Sequence, residues 1–247
     1  MTEEELYNCK CKILSNKDIP FNGLYIKNLT LEDVFDIGEN AFYQMLLPYC
    51  LSLELYDVEG ITNEVKIFDV ILSQKEYRES LKQSLGILFN INKENIVIND
   101  CCKNEFPYIK VNDIKITRNN FDSLSEIVRL LTKTVKIQKK EKVQLKKKTS
   151  SDGKLNKRLE NFYKGEEKFR EKRKELKSDL YNVYKYVSNM DRDFKRTLNY
   201  NIPQLYDRFY FLNEQDRYRF NQNIATNNPF VDSKKIDLTP LYNKTLE

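Results

Sequence analysis

Histidine, the side chain that most often moves protons near neutral pH, is absent from the 247 residues. Ser-His-Asp and Cys-His triads and histidine-ligated metals are thereby excluded. Five cysteines stand at Cys9, Cys11, Cys50, Cys101 and Cys102. A zinc site normally pairs two Cys-x-x-Cys knuckles or adds histidine, whereas this chain offers only Cys-x-Cys and Cys-Cys. Ordinary reduced thiols are the simpler reading, and neither a metal nor another cofactor is expected. The acid pairs Asp33 with Asp36 and Asp191 with Asp193 could share Mg²⁺ in a nuclease if a fold brought distant acids together. With 37 Asp and Glu residues in the chain, chance spacing explains those pairs equally well. The glycines at 23, 38, 60, 86, 153 and 165 never cluster, so neither a Walker loop nor a dinucleotide fingerprint can be built. Binding to other macromolecules is therefore expected in place of catalysis.

The conspicuous electrostatic feature is a lysine run in which Lys133, Lys136, Lys139, Lys140, Lys142, Lys146, Lys147 and Lys148 meet only Glu141. Phosphate backbones could bind Lys139, Lys140 and Lys146 to Lys148 through counterion release. The run lacks interleaved aromatics for stacking and arginines for base reading, so a solvated linker is the first reading and nucleic-acid binding the alternative. A net charge of +5 is modest and does not by itself mark a dedicated nucleic-acid binder.

The elements that must carry these residues follow from periodicity. Thr30 with Asp33 resembles a capping box, and Leu31, Val34, Phe35, Phe42, Met45 and Leu46 then recur at helical spacing, with a break at Gly38. Val65, Phe68, Ile71 and Leu72, then Leu81, Leu85 and Leu88, predict two shorter helices. Around Ile96 to Ile98 the pattern turns β-like, and Tyr108 to Val111 and Ile114 to Ile116 flank Asn112-Asp113 as a hairpin. Asn119 or Asn120 then caps a helix carrying Phe121, Leu124, Ile127, Val128 and Leu131.

Past the lysines, Leu155, Leu159, Phe162, Phe169, Leu176, Leu180, Val183 and Val187 keep heptad spacing, predicting one long helix with a narrow apolar stripe that needs a partner surface. After Asn201-Ile202-Pro203, Leu205, Tyr206, Phe209, Leu212, Tyr218 and Phe220 supply one or two further helices, followed by a loosely anchored tail. The expected organisation is an α+β, predominantly helical protein: a mixed domain over 1–134 with a small β-hairpin, a basic linker over 135–153, and a helical domain over 154–247. No apolar run reaches the roughly 18 to 20 residues of a membrane helix, and the acidic start MTEEELYNCKCKI lacks the basic and apolar regions of a secretory signal, so a cytoplasmic start is expected.

Three blocks, NLTLEDVFDIGENAFYQMLLPYC, DIKITRNNFDSLSEIVRLL and YNIPQLYDRFYFLNEQDRYRFN, together resemble tail assembly chaperone-like or accessory tail and virion proteins from phages and prophages of low-GC Gram-positive bacteria. The resemblance rests on Ile37-Gly38-Glu39 with Tyr43 and Leu46, on Asn120-Phe121-Asp122, and on Tyr206-Asp207-Arg208-Phe209, in matching order and approximate spacing over most of the chain. It implies a non-enzymatic morphogenesis protein in the bacterial host cytoplasm, either a chaperone or an accessory carried into the virion. Its implied partners are tail components such as the tape-measure or tube protein, with self-association through the long helix as another outcome. The motifs are packing and capping motifs and bring no active site with them. The surfaces expected to meet protein partners are the stripe Leu155, Leu159, Phe162, Phe169, Leu176 and Leu180, and the aromatic block at Tyr206 and Phe209.

Overall fold

The computed structural model describes residues 1–55, 66–99, 106–137 and 180–227, with the side chains of 224–227 left aside. The fold is α+β and predominantly helical. It begins with α1 (Glu3–Leu14), started by a capping box in which Thr2 Oγ1 accepts from Glu5 N and Thr2 N donates to Glu5 Oε2. A hairpin of β1 (Ile19–Phe21) and β2 (Leu24–Ile26) follows, turning at Asn22 and Gly23 with φ of 48° and 88°. Asn-Gly suits this conformation because both residues tolerate positive φ.

The expected helix after Thr30 is two helices, α2 (Leu31–Ile37) and α3 (Glu39–Cys50). Gly38, at φ 87° and ψ 127°, ends the first and precedes the second. A side chain at that φ would be strained, so the glycine fixes the break. Helices α4 (Ile67–Ser73) and α5 (Lys75–Leu88) match the two shorter helices expected there. Strands β3 (Ile96–Asn99), β4 (Tyr108–Val111) and β5 (Ile114–Thr117) form an antiparallel sheet in chain order, and Asn112 takes φ 51° in the expected turn.

Helix α6 (Phe121–Thr132) follows, but Asn120 is not a side-chain cap. Its Oδ1 accepts from Thr117 N at 2.8 Å and its Nδ2 donates to Lys115 O at 3.1 Å, so it locks the end of β5 to the helix entry. The first residues of the expected linker are anchored: Ile137 N donates to Cys50 O at 2.7 Å, and Ser52 Oγ donates to Ile137 O at 2.9 Å.

The C-terminal helices are α7 (Leu180–Asp191), α8 (Phe194–Leu198) and α9 (Ile202–Asn227). Their apolar residues Leu180, Val183, Val187, Ile202, Leu205 and Leu212 belong to the same core as Ile13, Leu31, Phe42, Leu85, Ile109 and Phe121. The described part of the expected separate helical domain thus shares one core with the N-terminal unit. Backbone contacts join the same regions, since Leu31 N donates to Tyr200 O at 2.8 Å and Thr30 bridges Asn201. Residues 154–179, which hold most of the expected long helix, lie outside the described residues. Among the described residues no helix is long and apolar enough to cross a membrane.

Candidate protein-binding surface

Helix α9 is built from its first residue. Asn201 Oδ1 accepts from Gln204 N at 2.9 Å while Gln204 Oε1 accepts from Asn201 N at 3.0 Å, a reciprocal cap that satisfies one orphan N–H of the first turn. Pro203 sits inside that turn, where no helical partner for its nitrogen is required. Asn201 is fully buried, and its Nδ2 donates to Ile13 O at 2.6 Å, while Gln204 Nε2 donates to Leu14 O at 2.9 Å. The last carbonyls of α1 therefore receive donors from residues nearly two hundred positions away in sequence.

The aromatic block lies along the next turns. Tyr206 and Phe209 are both half-buried. Phe209 meets Tyr186 of α7 edge-on at 5.4 Å, and Tyr206 lies 6.3 Å from Tyr210, which in turn lies 5.9 Å from Phe209. Burial first, then Tyr206 and Glu39, pushes the phenol of Tyr43 well above its ordinary range. Arg208 grips Asp191 through two nitrogens, with Nε 3.0 Å from Oδ2, and the hydrogen bonds from Arg208 hold the Asp191 carboxyl below the usual carboxylate range. Tyr186 Oη donates to Asp216 Oδ2 at 2.9 Å, extending the α7 contact along α9.

Beyond this braced half the helix changes character. Leu212 is its last buried described residue. Phe220, eight residues past Leu212, is 63% exposed, and within the braced half Tyr210 and Phe211 are 60% and 38% exposed. Exposed aromatics with a rigid backbone behind them are well suited to fill pockets on a partner.

The other sequence expectations are placed as follows. Leu180, expected on a partner-binding stripe, is buried in this chain's own core with Val183 and Val187, so it offers a partner nothing. Leu155, Leu159, Phe162, Phe169 and Leu176 lie outside the described residues, as do Lys139, Lys140, Lys146, Lys147 and Lys148. Among the carboxylates considered as metal ligands, Asp33, Asp191 and Asp193 bind partners within the chain. Burial raises the Asp33 carboxyl, but bonds from Lys27 and Thr30 outweigh that and leave it below its ordinary range. Asp191 is held by Arg208, and Asp193 caps α8 by accepting from Arg196 N at 2.9 Å.

No protein-family model, curated protein or solved structure matches the chain. The site must therefore be read from its own geometry.

Sequence reasoning missed two functional parts of this arrangement. Glu39, quoted above only as part of Ile37-Gly38-Glu39, caps α7: its Oε1 accepts from Leu180 N and its Oε2 from Tyr181 N at 3.3 Å. A carboxylate at a helix N-terminus satisfies two donors and meets the positive end of the dipole. Phe211 was missed because it falls off the apolar period, whereas Tyr210 stands four residues after Tyr206 on the same side of the helix.

Proposed function

We propose that this protein is a non-catalytic component of phage tail or virion morphogenesis that holds a tail protein, such as the tape-measure or tube subunit, against exposed aromatics of α9. The observation that carries the reading is that Tyr210 and Phe220, ten residues apart and on neighbouring sides of the helix, stay exposed on a helix firmly braced by Tyr186, Asp191 and the Asn201 cap. The bracing contacts fix the helix, and the exposed rings can add apolar area against a partner. The likeness of three blocks to tail-chaperone and accessory tail proteins supplies the partner class. The chain acts in the bacterial host cytoplasm, and an accessory role would carry it into the particle.

The test is co-purification of the chain with separately produced tape-measure and tube proteins, comparing wild type with a Tyr210→Ser, Phe220→Ser variant. Capture of either partner by wild type, lost in the variant at unchanged stability, supports the reading. Failure to capture either protein, or capture indifferent to the two substitutions, refutes it. Presence of the chain in purified particles then separates an accessory protein from a chaperone that leaves the finished tail.

A further inference from the structure

The antiparallel register of the three-stranded sheet sorts its side chains cleanly. Ile96, Val111 and Ile114 pair across the strands, as do Ile98, Ile109 and Ile116, and all of these but Ile114 lie in or against the core. The alternate rows, Val97 with Lys110 and Lys115, and Asn99 with Tyr108 and Thr117, lie on the other face.

This outer face has an unusual charge pattern. Lys110 and Lys115 are direct cross-strand partners, and both are exposed. Like charges directly opposite one another destabilise a sheet. Neither strand relieves them, because β3, β4 and β5 contain no Asp or Glu. Arg118, just past β5, adds a third cation at the sheet's end, bound to Asp69.

Two aromatic rings accompany the cations. The ammonium of Lys115 stands 4.4 Å from the centre of the Tyr108 ring, and the guanidinium of Arg118 stands 4.3 Å from the centre of the Phe106 ring. Phe106 is 70% exposed, so a large apolar ring is presented to solvent beside the sheet. The exposed Lys115 ammonium can turn to a phosphate when a base takes its place over Tyr108, whereas Arg118 stays bound to Asp69 beside Phe106.

We propose that this sheet face binds single-stranded nucleic acid, with Tyr108 and Phe106 stacking unpaired bases and Lys110 and Lys115 meeting the phosphates. The cross-strand lysine pair is then stabilised by the ligand's charge, which no residue of the three strands supplies. An acidic peptide would match the charge and leave the two rings without a partner, and duplex bases are not free to stack on them. The surface is distinct from α9, and from the lysine run that first suggested nucleic acid.

The test is fluorescence anisotropy of a labelled twelve-nucleotide oligothymidylate titrated with the full chain. Two phosphate contacts on a single strand give a salt slope of about −1.4, so affinity falls about seven-fold between roughly 50 and 200 mM salt. Lys110→Glu with Lys115→Glu is expected to weaken binding at least about ten-fold, and Phe106→Ala about five-fold or more. Lys110→Gln with Lys115→Gln guards against a charge reversal that disturbs the sheet, and each variant's fold is checked by circular dichroism. Replacing Lys139, Lys140 and Lys146 to Lys148 with alanine leaves affinity unchanged. The proposal is overturned if the oligonucleotide does not bind, or if binding survives both lysine double variants. It is equally overturned if the five-lysine variant abolishes binding, if Phe106→Ala has no effect, or if polyglutamate or duplex DNA competes as well as the single strand.

Discussion

Asn201→Ala is the substitution that most directly probes how the two ends of the chain depend on each other. The wild-type side chain uses both of its polar atoms while fully buried: Oδ1 caps α9 through Gln204 N, and Nδ2 donates to Ile13 O. Losing a side-chain cap costs about 1 kcal/mol. Losing the bond to Ile13 costs about another 1 kcal/mol, a modest figure because Asn28 Nδ2 still donates to the same carbonyl at 2.9 Å. The small space left by the missing amide adds a fraction more, giving about 2 to 3 kcal/mol in all. For a chain of this size that lowers Tm by roughly 5 to 10 °C. Urea unfolding followed by far-UV circular dichroism and by tyrosine fluorescence should show one coincident transition that moves to lower urea with an unchanged slope. A shift below about 1 kcal/mol would refute the assignment of Asn201 as a joint. Melting of α7 to α9 in a separate early transition would refute the single core instead.

Three further outcomes follow from named contacts. Lys110→Glu alone should stabilise the protein by about 0.5 kcal/mol, since it converts a like-charged cross-strand pair into an opposite one, and urea unfolding reads it; a loss of stability would remove the repulsion argument. Glu39→Ala should cost about 1 kcal/mol and speed amide exchange at Leu180 and Tyr181, the two N–H groups it accepts from, whereas unchanged exchange there would show that the cap is idle. The Asp191 carboxyl is held below its ordinary range by Arg208, so its contribution to stability is present above the unfolded carboxylate pKa of about 3.9 and is lost as pH falls through the lower folded value. Asp191→Asn should therefore be less stable than wild type at pH 7 and approach it on acidification, and a gap between their thermal midpoints that stays constant down to about pH 2 would contradict the coupling.

Local chemistry was legible where neighbours in sequence are also neighbours in space. The Thr30–Asp33 box, the break at Gly38, the turn at Asn112 and the apolar spacing of Leu180, Val183 and Val187 all depend on contacts within a few residues, and each is found. The hairpin at Asn22-Gly23 was also local but went unread, because its strands are three residues long and one contains Pro20. The Asn201–Gln204 cap is local, but the long-range bonds of Asn201 and Glu39 could not be read, since those partners lie 188 and 141 positions away. The outer sheet face is a middle case. Lys110 and Lys115 are visible in sequence, yet their opposition exists only once the register pairs them. The charge shift after Lys133 suggested a domain boundary, but composition reports only which residues avoid burial along a stretch. It says nothing of whether the helices beyond that stretch return to the same core, as Leu180 and Leu205 do.

The three blocks on which the proposed tail-protein likeness rests turn out to be joints. Glu39 of the first reaches Leu180, and Tyr43 of the same block neighbours Tyr206 of the third. In the second, Phe121 stacks on Tyr49 at 5.8 Å and meets Phe68 at 4.9 Å, while Asn120 ties the helix to β5. In the third, Arg208 holds Asp191 and Asp207 lies 3.4 Å from Lys133. A side chain committed to an internal joint cannot also recognise a partner without giving up that joint. Such blocks therefore specify a scaffold, and recognition must fall to residues outside the joints. The two surfaces proposed above satisfy that condition differently. Tyr210, Phe211 and Phe220 offer apolar area on a fixed helix, while Lys110 and Lys115 offer charge that the sheet itself leaves uncompensated. Apolar burial loses little strength in salt, whereas phosphate contacts weaken steeply with it. Raising ionic strength should thus release the nucleic acid while leaving the protein partner bound, and one titration with both ligands present separates the two surfaces.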